Sequence, residues 1–264
     1  ERPDVDQIYM TAVQLMTQRG GWPLNCFTLP DGRPIYGGTY FPKDQWMHIL
    51  KSLAHTYAND RVKAIDYARQ LHEGIQQAEL IAAPQEISGF EAERLHEMVV
   101  RWARSFDTFE GGTNKAPKFP LPNNWLFLMR YAQHFDEAKI EKQVRLTLDK
   151  MAFGGIYDQV GGGFTRYSVD VLWKVPHFEK MLYDNGQLIG LYAQAYGQYQ
   201  EPHYKDLVYQ TFDFLERELL SNDGAYFSAL DADSEGEEGK FYCWDPTEID
   251  FLFGADAARV KRFY

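Results

Sequence analysis

The sequence predicts a mainly α-helical protein in two parts, a small α/β part followed by a series of helical hairpins. The hairpins are predicted by three segments: FDTFEGGTNKAPKFPLPNNWLFLMRY (106–131), YDQVGGGFTRYSVDVLWKVPHFEKMLYDNGQLIGLY (157–192) and NDGAYFSALDADSEGEEGKFYCWDPTEIDFLF (222–253). Each runs from an acidic residue through glycine and an aromatic, across a polar loop, to a lysine and then a helical pattern. Their acidic starts, Asp107, Asp158 and Asp223, are 51 and 65 residues apart. Degenerate repetition at such a period is the signature of helical hairpins stacked side by side. The α/β part is predicted by what precedes them: an amphipathic helix, a glycine stop, and two short apolar runs around Pro-Asp-Gly.

Taken in order, residues 4–18 place Val5, Ile8, Tyr9, Ala12, Val13, Leu15 and Met16 at helical spacing. Gly20-Gly21 stops this helix. Leu24 to Leu29 reads as a buried strand, Pro30-Asp31-Gly32 as the tight turn and Pro34 to Tyr36 as the returning strand. Trp22-Pro23 is a candidate cis peptide, because X–Pro bonds have only a small trans preference. Asp44 to about Ala83 reads as helix, and Pro84 to Gly89 as a linker, which divides the chain into residues 1–84 and 85–264. Helices are expected at about 90–105, 138–152 and 203–220, outside an inner helix over 177–199. That helix opens on Pro176, whose missing N–H costs little in a first turn. Its small residues Gly186, Gly190, Ala193 and Gly197 form a stripe expected to admit a close neighbour.

Composition narrows the function. The 264 residues are 45% hydrophobic and 25% charged, ordinary for a globular chain. A net charge of −11 argues against nucleic-acid backbone binding and against adhesion to anionic membranes. No apolar run approaches the roughly 20 residues that span a bilayer. With no signal peptide visible, a cytoplasmic location is expected. Cys26 and Cys243 form neither a CxxC nor a zinc pattern, so no metal and no cofactor is expected. Aromatics reach 16%, which suits either a large core or a cleft that stacks on sugar-like ligands.

The wording of ERPDVDQIYM, GGWPLN, PDGRPIYGGTYFP and the stretch Gly155–Asn185 resembles the spermatogenesis-associated, thioredoxin-domain-containing family. The resemblance covers nearly the whole chain. It implies a partial (α/α)6 toroid, similar to six-hairpin glycosidases and N-acylglucosamine 2-epimerases. Before it would stand the C-terminal half of a thioredoxin-like domain, with Pro23 in the place of the cis-proline. In that family a cysteine-rich redox-like motif lies upstream of ERPD, where this chain begins. The chain also stops about half way round such a toroid, so it is expected to be a fragment.

The chemistry concentrates in Gly155–Asn185. His177, Lys180 and Asp184, at i, i+3 and i+7, share a face if the helix starts at Pro176. Histidine beside carboxylate suits a general acid or base, and a structural histidine bonded to a loop carbonyl is the alternative. Catalytic candidates are therefore His177 and Asp184, with Asp231 and Asp233 of ALDADSEGEEG as carboxylates facing them across a cleft. That acidic run starts like a calcium loop, but Tyr242 stands where the bidentate Glu should be. The alternative is a solvated loop, the reading preferred for Glu237 and Glu238. Ligand-binding candidates are Arg166, Tyr167, Trp173, Glu179, Lys180 and Lys118, the last matched with Lys240 in the third segment. Arg offers a fork of donors and the aromatics a stacking face; the alternative for Arg166 is to hold the loop by pairing with Asp158 or Asp170. The expected activity is sugar isomerase- or epimerase-like, or glycosidase-like, on a small sugar-like ligand. A redox-linked binding or chaperone-type protein with a protein partner is the alternative, and a degenerate enzyme with an idle cleft is a third.

Overall fold

A computed structural model describes residues 2–80, 89 and 91–262. It divides into two compact units, Glu1–Gly89 and Phe90–Tyr264. Apart from Gly89, the expected linker 84–89 lies outside the described residues.

The first unit follows the order read from the sequence. Helix α1 (Pro3–Thr17) packs on strand β2 (Pro34–Gly38), which pairs antiparallel with β1 (Asn25–Thr28). The approach is close enough that a Cβ on Gly37 would lie 2.6 Å from Val13 Cγ2. Trp22-Pro23 is cis, as expected. The helix expected from Asp44 to Ala83 is two helices, α2 (Lys43–Asn59) and α3 (Arg61–Glu79). Asp60 divides them because its side chain accepts the Lys63 N–H and so caps α3. Ala12, Leu71 and Ile75 form a core between α1 and α3.

The second unit is mainly helical, as predicted. Helix α4 (Ala92–Ala103) precedes two helical hairpins, α5 (Pro122–Phe135) with α6 (Ala138–Ala152) and α7 (Leu182–Tyr199) with α8 (Pro202–Phe214). Each hairpin turns on a left-handed residue, Asp136 and Gln200, both at φ 56°. Helices α5 and α7 lie side by side, and Asn123 meets Gln187 at 3.0 Å while Arg130 meets Gln194 at 2.7 Å. Both contacts step forward seven residues on both helices, so α5 and α7 run parallel, as stacked hairpins require. Trp125, Leu148, Met151, Leu188, Tyr192 and Tyr204 fill the core between the four helices.

The repeat is visible in the loops ahead of the helices. Phe106 bridges Thr113, and Tyr157 bridges Phe164, closing two equivalent hairpins. In each, one oxygen of an aspartate accepts two backbone N–H groups, from Phe109 and Glu110 to Asp107 and from Val160 and Gly161 to Asp158. The other oxygen accepts from a buried lysine at 2.8 Å, Lys118 to Asp107 and Lys180 to Asp158. Each lysine also donates to a glycine carbonyl, Gly111 at 2.7 Å and Gly162 at 2.9 Å. Each lies against aromatic rings, Lys118 over Trp173 and Lys180 over Phe214 and Tyr242. Gly163 has φ 82°, and a Cβ there would fall 2.4 Å from the Phe214 ring.

Three expectations change here. The third hairpin closes from Leu220 to Tyr226, one residue shorter, so Ser221 and not Asp223 takes the place of Asp107 and Asp158. Lys240 is exposed and pairs with Glu235, so the buried counterpart of Lys118 is Lys180. The glycines of the α7 stripe have no close neighbour among the described residues, since a Cβ at Gly186, Gly190 or Gly197 would meet none of their atoms within 4 Å. The helix expected over 203–220 ends in a π turn at Leu215–Leu219. After it come α9 (Pro246–Phe253), capped by Asp245, and α10 (Ala257–Val260).

Removing one member of a buried ion pair leaves the other charge unpaired, at a cost of about 3–5 kcal/mol. Lys118→Ala and Lys180→Ala are expected to lower the unfolding free energy of the second unit on that scale, and Lys240→Ala by less than about 0.5 kcal/mol. Urea unfolding of the three variants checks this, and equal losses would refute the assigned repeat.

Candidate functional site

Lys118 follows Asp107 by 11 residues and Lys180 follows Asp158 by 22. The second repeat thus carries eleven more residues between hairpin and lysine, and most of the candidate site lies on them. Strand β3 (Tyr167–Ser168) leaves the hairpin and pairs with β4 (Pro176–His177), bringing Tyr167 opposite His177. Strand β5 (Lys180–Met181) pairs with β6 (Ala229–Leu230) of the third repeat. The helix predicted from Pro176 therefore begins only at Leu182, and residues 176–181 are extended. The reason is the backbone pairing: Lys180 and Met181 align with Leu230 and Ala229, an alternative to helix that sequence periodicity does not display.

An extended segment sends alternate side chains to opposite sides. Pro176, Phe178 and Lys180 face a cavity of about 630 Å³ lined also by Phe214, Tyr242 and Trp244. His177 and Glu179 face the other way, into a polar cluster. His177 Nδ1 lies 2.7 Å from Glu238 Oε1, on the hairpin of β7 (Asp233–Ser234) and β8 (Glu237–Glu238). Its Nε2 lies 3.7 Å from Glu179 Oε2, which accepts from Arg166 Nη1 at 3.0 Å. The imidazole stacks on Tyr167, centroids 4.9 Å apart and planes 16° apart, and Tyr167 rests on Phe119 at 4.8 Å.

Asp184, in the first turn of α7, completes the cluster. Burial pushes its carboxyl up to about 6; the Arg166 charge opposes this and the Glu179 charge adds to it. Its Oδ2 is buried without a hydrogen-bond partner. Asp158, behind the strand, behaves oppositely. Burial raises it, but Lys180 and the Gly161 and Val160 N–H groups outweigh burial and hold it below the ordinary carboxylate range. Burial also pulls Lys180 down, yet carboxylate and carbonyl both accept from its ammonium, so the pair is ionised at neutral pH.

The structure thus brings together His177, Glu179, Arg166, Tyr167 and Asp184. It does not bring in the others. Lys118 and Lys180 are buried clamps, at 0% and 1% exposure, each held by an aspartate and a glycine carbonyl apart from the polar cluster. Trp173 is fully buried, at 0% exposure, and its Nε1 donates to the Glu110 carbonyl, so its ring offers no free stacking face. Asp231 and Asp233 are exposed, and Asp231 Oδ1 accepts the Asp233 N–H at 3.2 Å. Arg166 pairs with Glu179 rather than with Asp158 or Asp170; Asp170 instead accepts the Leu172 and Val175 N–H groups. Glu238 and Phe119 are the members the sequence did not single out. Phe119 could have been found as the neighbour of a repeat lysine; Glu238 needed the strand pairing of the second and third repeats. Among the described residues no group of three or more His, Cys, Asp or Glu could hold a metal ion, and no helix is long and apolar enough to cross a membrane.

A thioredoxin-type family model, Thioredox_DsbH, described as a protein of unknown function, DUF255, matches residues 1–76. Spermatogenesis-associated protein 20 of Homo sapiens is 34% identical over 269 residues, 96% of this chain and 34% of its own. That of Mus musculus aligns to the same extent, also at 34% identity. An uncharacterized protein of Caenorhabditis elegans, B0495.5, is 35% identical over 96% of this chain and 37% of its own. The chain belongs to the spermatogenesis-associated, thioredoxin-domain-containing family. It spans about a third of the length of these curated relatives. As a member of that family, it carries the thioredoxin-type match in the first unit and the polar cluster in the second.

The raised Asp184 sets a pH dependence. Well below the ordinary aspartate value, near pH 2–3, the carboxyl is protonated in folded and unfolded chains alike, and the penalty vanishes. As pH rises from about 4 to about 6 the unfolded chain ionises while burial still resists ionisation in the fold, so stability is lost across that window and the loss levels off above it. Asp184→Asn is expected to melt closest to the wild type near pH 3 and higher at pH 8, by roughly 2–4 °C once solvent screening of this half-buried group is allowed for. Thermal melts at the two pH values check this; a variant that melts lower at pH 8 would show that the ionised carboxylate stabilises the fold.

Proposed function

We propose that the second unit is a carbohydrate-active module, part of an (α/α) toroid, that carries out isomerase- or epimerase-like proton transfer on a small sugar-like ligand at the His177–Asp184 cluster. The observation that carries the reading is a carboxyl raised to about 6, with a free buried oxygen, near an arginine and near the glutamate that stands 3.7 Å from the His177 imidazole. Groups that titrate near neutrality are the ones suited to give and take protons in one cycle. His177 Nε2 takes the proton from the carbon next to a sugar carbonyl, and the C–H electron pair becomes the enediolate double bond. The carbonyl π pair moves to oxygen, where the Arg166 guanidinium stabilises the negative charge. Protonated Asp184 returns a proton to the carbon, and proton exchange with solvent then takes the proton from His177 and restores the Asp184 acid before the next turnover.

Glycoside cleavage is less well supported. It needs two free carboxyl groups across the bond. Glu179 is engaged by Arg166 and Glu238 by His177, which leaves Asp184 as the carboxyl with an open oxygen. The redox-linked alternative finds little in these residues: burial pushes the Cys26 thiol up to about 11, far from a reactive thiolate, and Cys243 is exposed on the other unit.

A ligand that binds the native state raises the melting temperature by mass action. A panel of mono- and disaccharides is expected to include some that raise it, with the shift lost in His177→Ala. The absence of any shift across the panel would count against the carbohydrate reading and return attention to a partner-binding role.

A further inference from the structure

We propose that Glu238 is a positioning residue that fixes His177 as the Nδ1–H tautomer and so presents Nε2 as the proton-accepting atom of the cluster. A carboxylate can only accept, so at 2.7 Å the imidazole nitrogen facing Glu238 must be the donor. Among the described residues no group within hydrogen-bond distance competes for the ring proton on the other side. Glu179 Oε2, 3.7 Å from Nε2, is beyond hydrogen-bond distance and is taken by Arg166. The ring cannot turn over easily to exchange its nitrogens. It lies flat on Tyr167, whose backbone is paired with its own across β3 and β4. One charge-assisted bond therefore decides the tautomer, and the other nitrogen is left with its lone pair in the cluster.

The residue that does this comes from a different repeat. Glu238 lies on the two-residue-turn hairpin β7–β8, which follows the pairing of Lys180 and Met181 with β6. The third repeat, lacking the buried lysine clamp of the first two, supplies the orienting carboxylate for a histidine of the second. The tautomer itself follows from the geometry alone, whereas the use of Nε2 as a base rests on the isomerase-like reading. The measurement that tests one is therefore separate from the sugar panel that tests the other.

Histidine-selective ¹⁵N labelling and long-range ¹H–¹⁵N spectra at about pH 8.5, where imidazole is neutral, read the tautomer directly. His177→Gln identifies the signals by their loss. In the wild type Nδ1 is expected to resonate as a protonated nitrogen and Nε2 as an unprotonated one, at a ratio of at least about tenfold. Glu238→Ala is expected to redistribute the proton toward Nε2. Glu238→Gln, whose amide oxygen still accepts, is expected to keep it on Nδ1. A wild type with its proton on Nε2, or a Glu238→Ala spectrum equal to that of the wild type, would overturn the proposal.

Discussion

The second unit is organised around a buried ammonium. Taking a lysine out of water costs several kcal/mol unless its protons and charge are matched. Here the matching set is the same twice: an aspartate at 2.8 Å, a glycine carbonyl and an aromatic face. The set explains residues that otherwise look unrelated. The aspartate must stand at the start of the turn, where two backbone N–H groups also hold it. The carbonyl must point inward, which takes a glycine at positive φ, with φ 68° at Gly111 and 76° at Gly162. The aromatic must reach the ammonium, which is why Trp173 is spent in the core.

From that clamp follows the position of the candidate site. The two lysines hold equivalent places, so the eleven additional residues of the second repeat must bulge between fixed points. They do so as a hairpin, β3 to β4, and the extended run after it separates two environments. Its lysine side belongs to the ion pair and the aromatic cavity. Its histidine side belongs to the cluster of Arg166, Glu179, Glu238 and Asp184. The contrast between Asp158 and Asp184 is a contrast of partners: burial raises both, but only Asp158 accepts hydrogen bonds from a cation and two N–H donors, whereas Arg166 acts on Asp184 only through its charge.

Much of this was legible in the sequence. The order helix, strand, turn, strand at the N-terminus and the repeated passage from acid through glycine to lysine were readable because they rest on local signals, turn chemistry and periodicity. His177, Asp184, Arg166, Tyr167 and Glu179 were found because they crowd one stretch. Other features depended on pairing between distant segments. The run Pro176–Met181 looks helical by spacing and is extended because β6 pairs with it. Trp173 looks like a stacking residue and is buried because Lys118 and the Glu110 carbonyl take it. Glu238 sits in an acidic run indistinguishable from a solvated loop until the third repeat is laid beside the second. The glycine stripe of α7 was correctly seen as a face, but a face says nothing of what lies against it.

The account stands or falls on whether the histidine side of this strand moves protons at carbon. The most direct measurement is incorporation of solvent deuterium into the carbon next to the carbonyl of a reducing sugar that binds the protein, followed by mass spectrometry. The account predicts incorporation with the wild type and its loss in His177→Gln. A sugar that binds and shows no exchange would contradict the proton-transfer assignment.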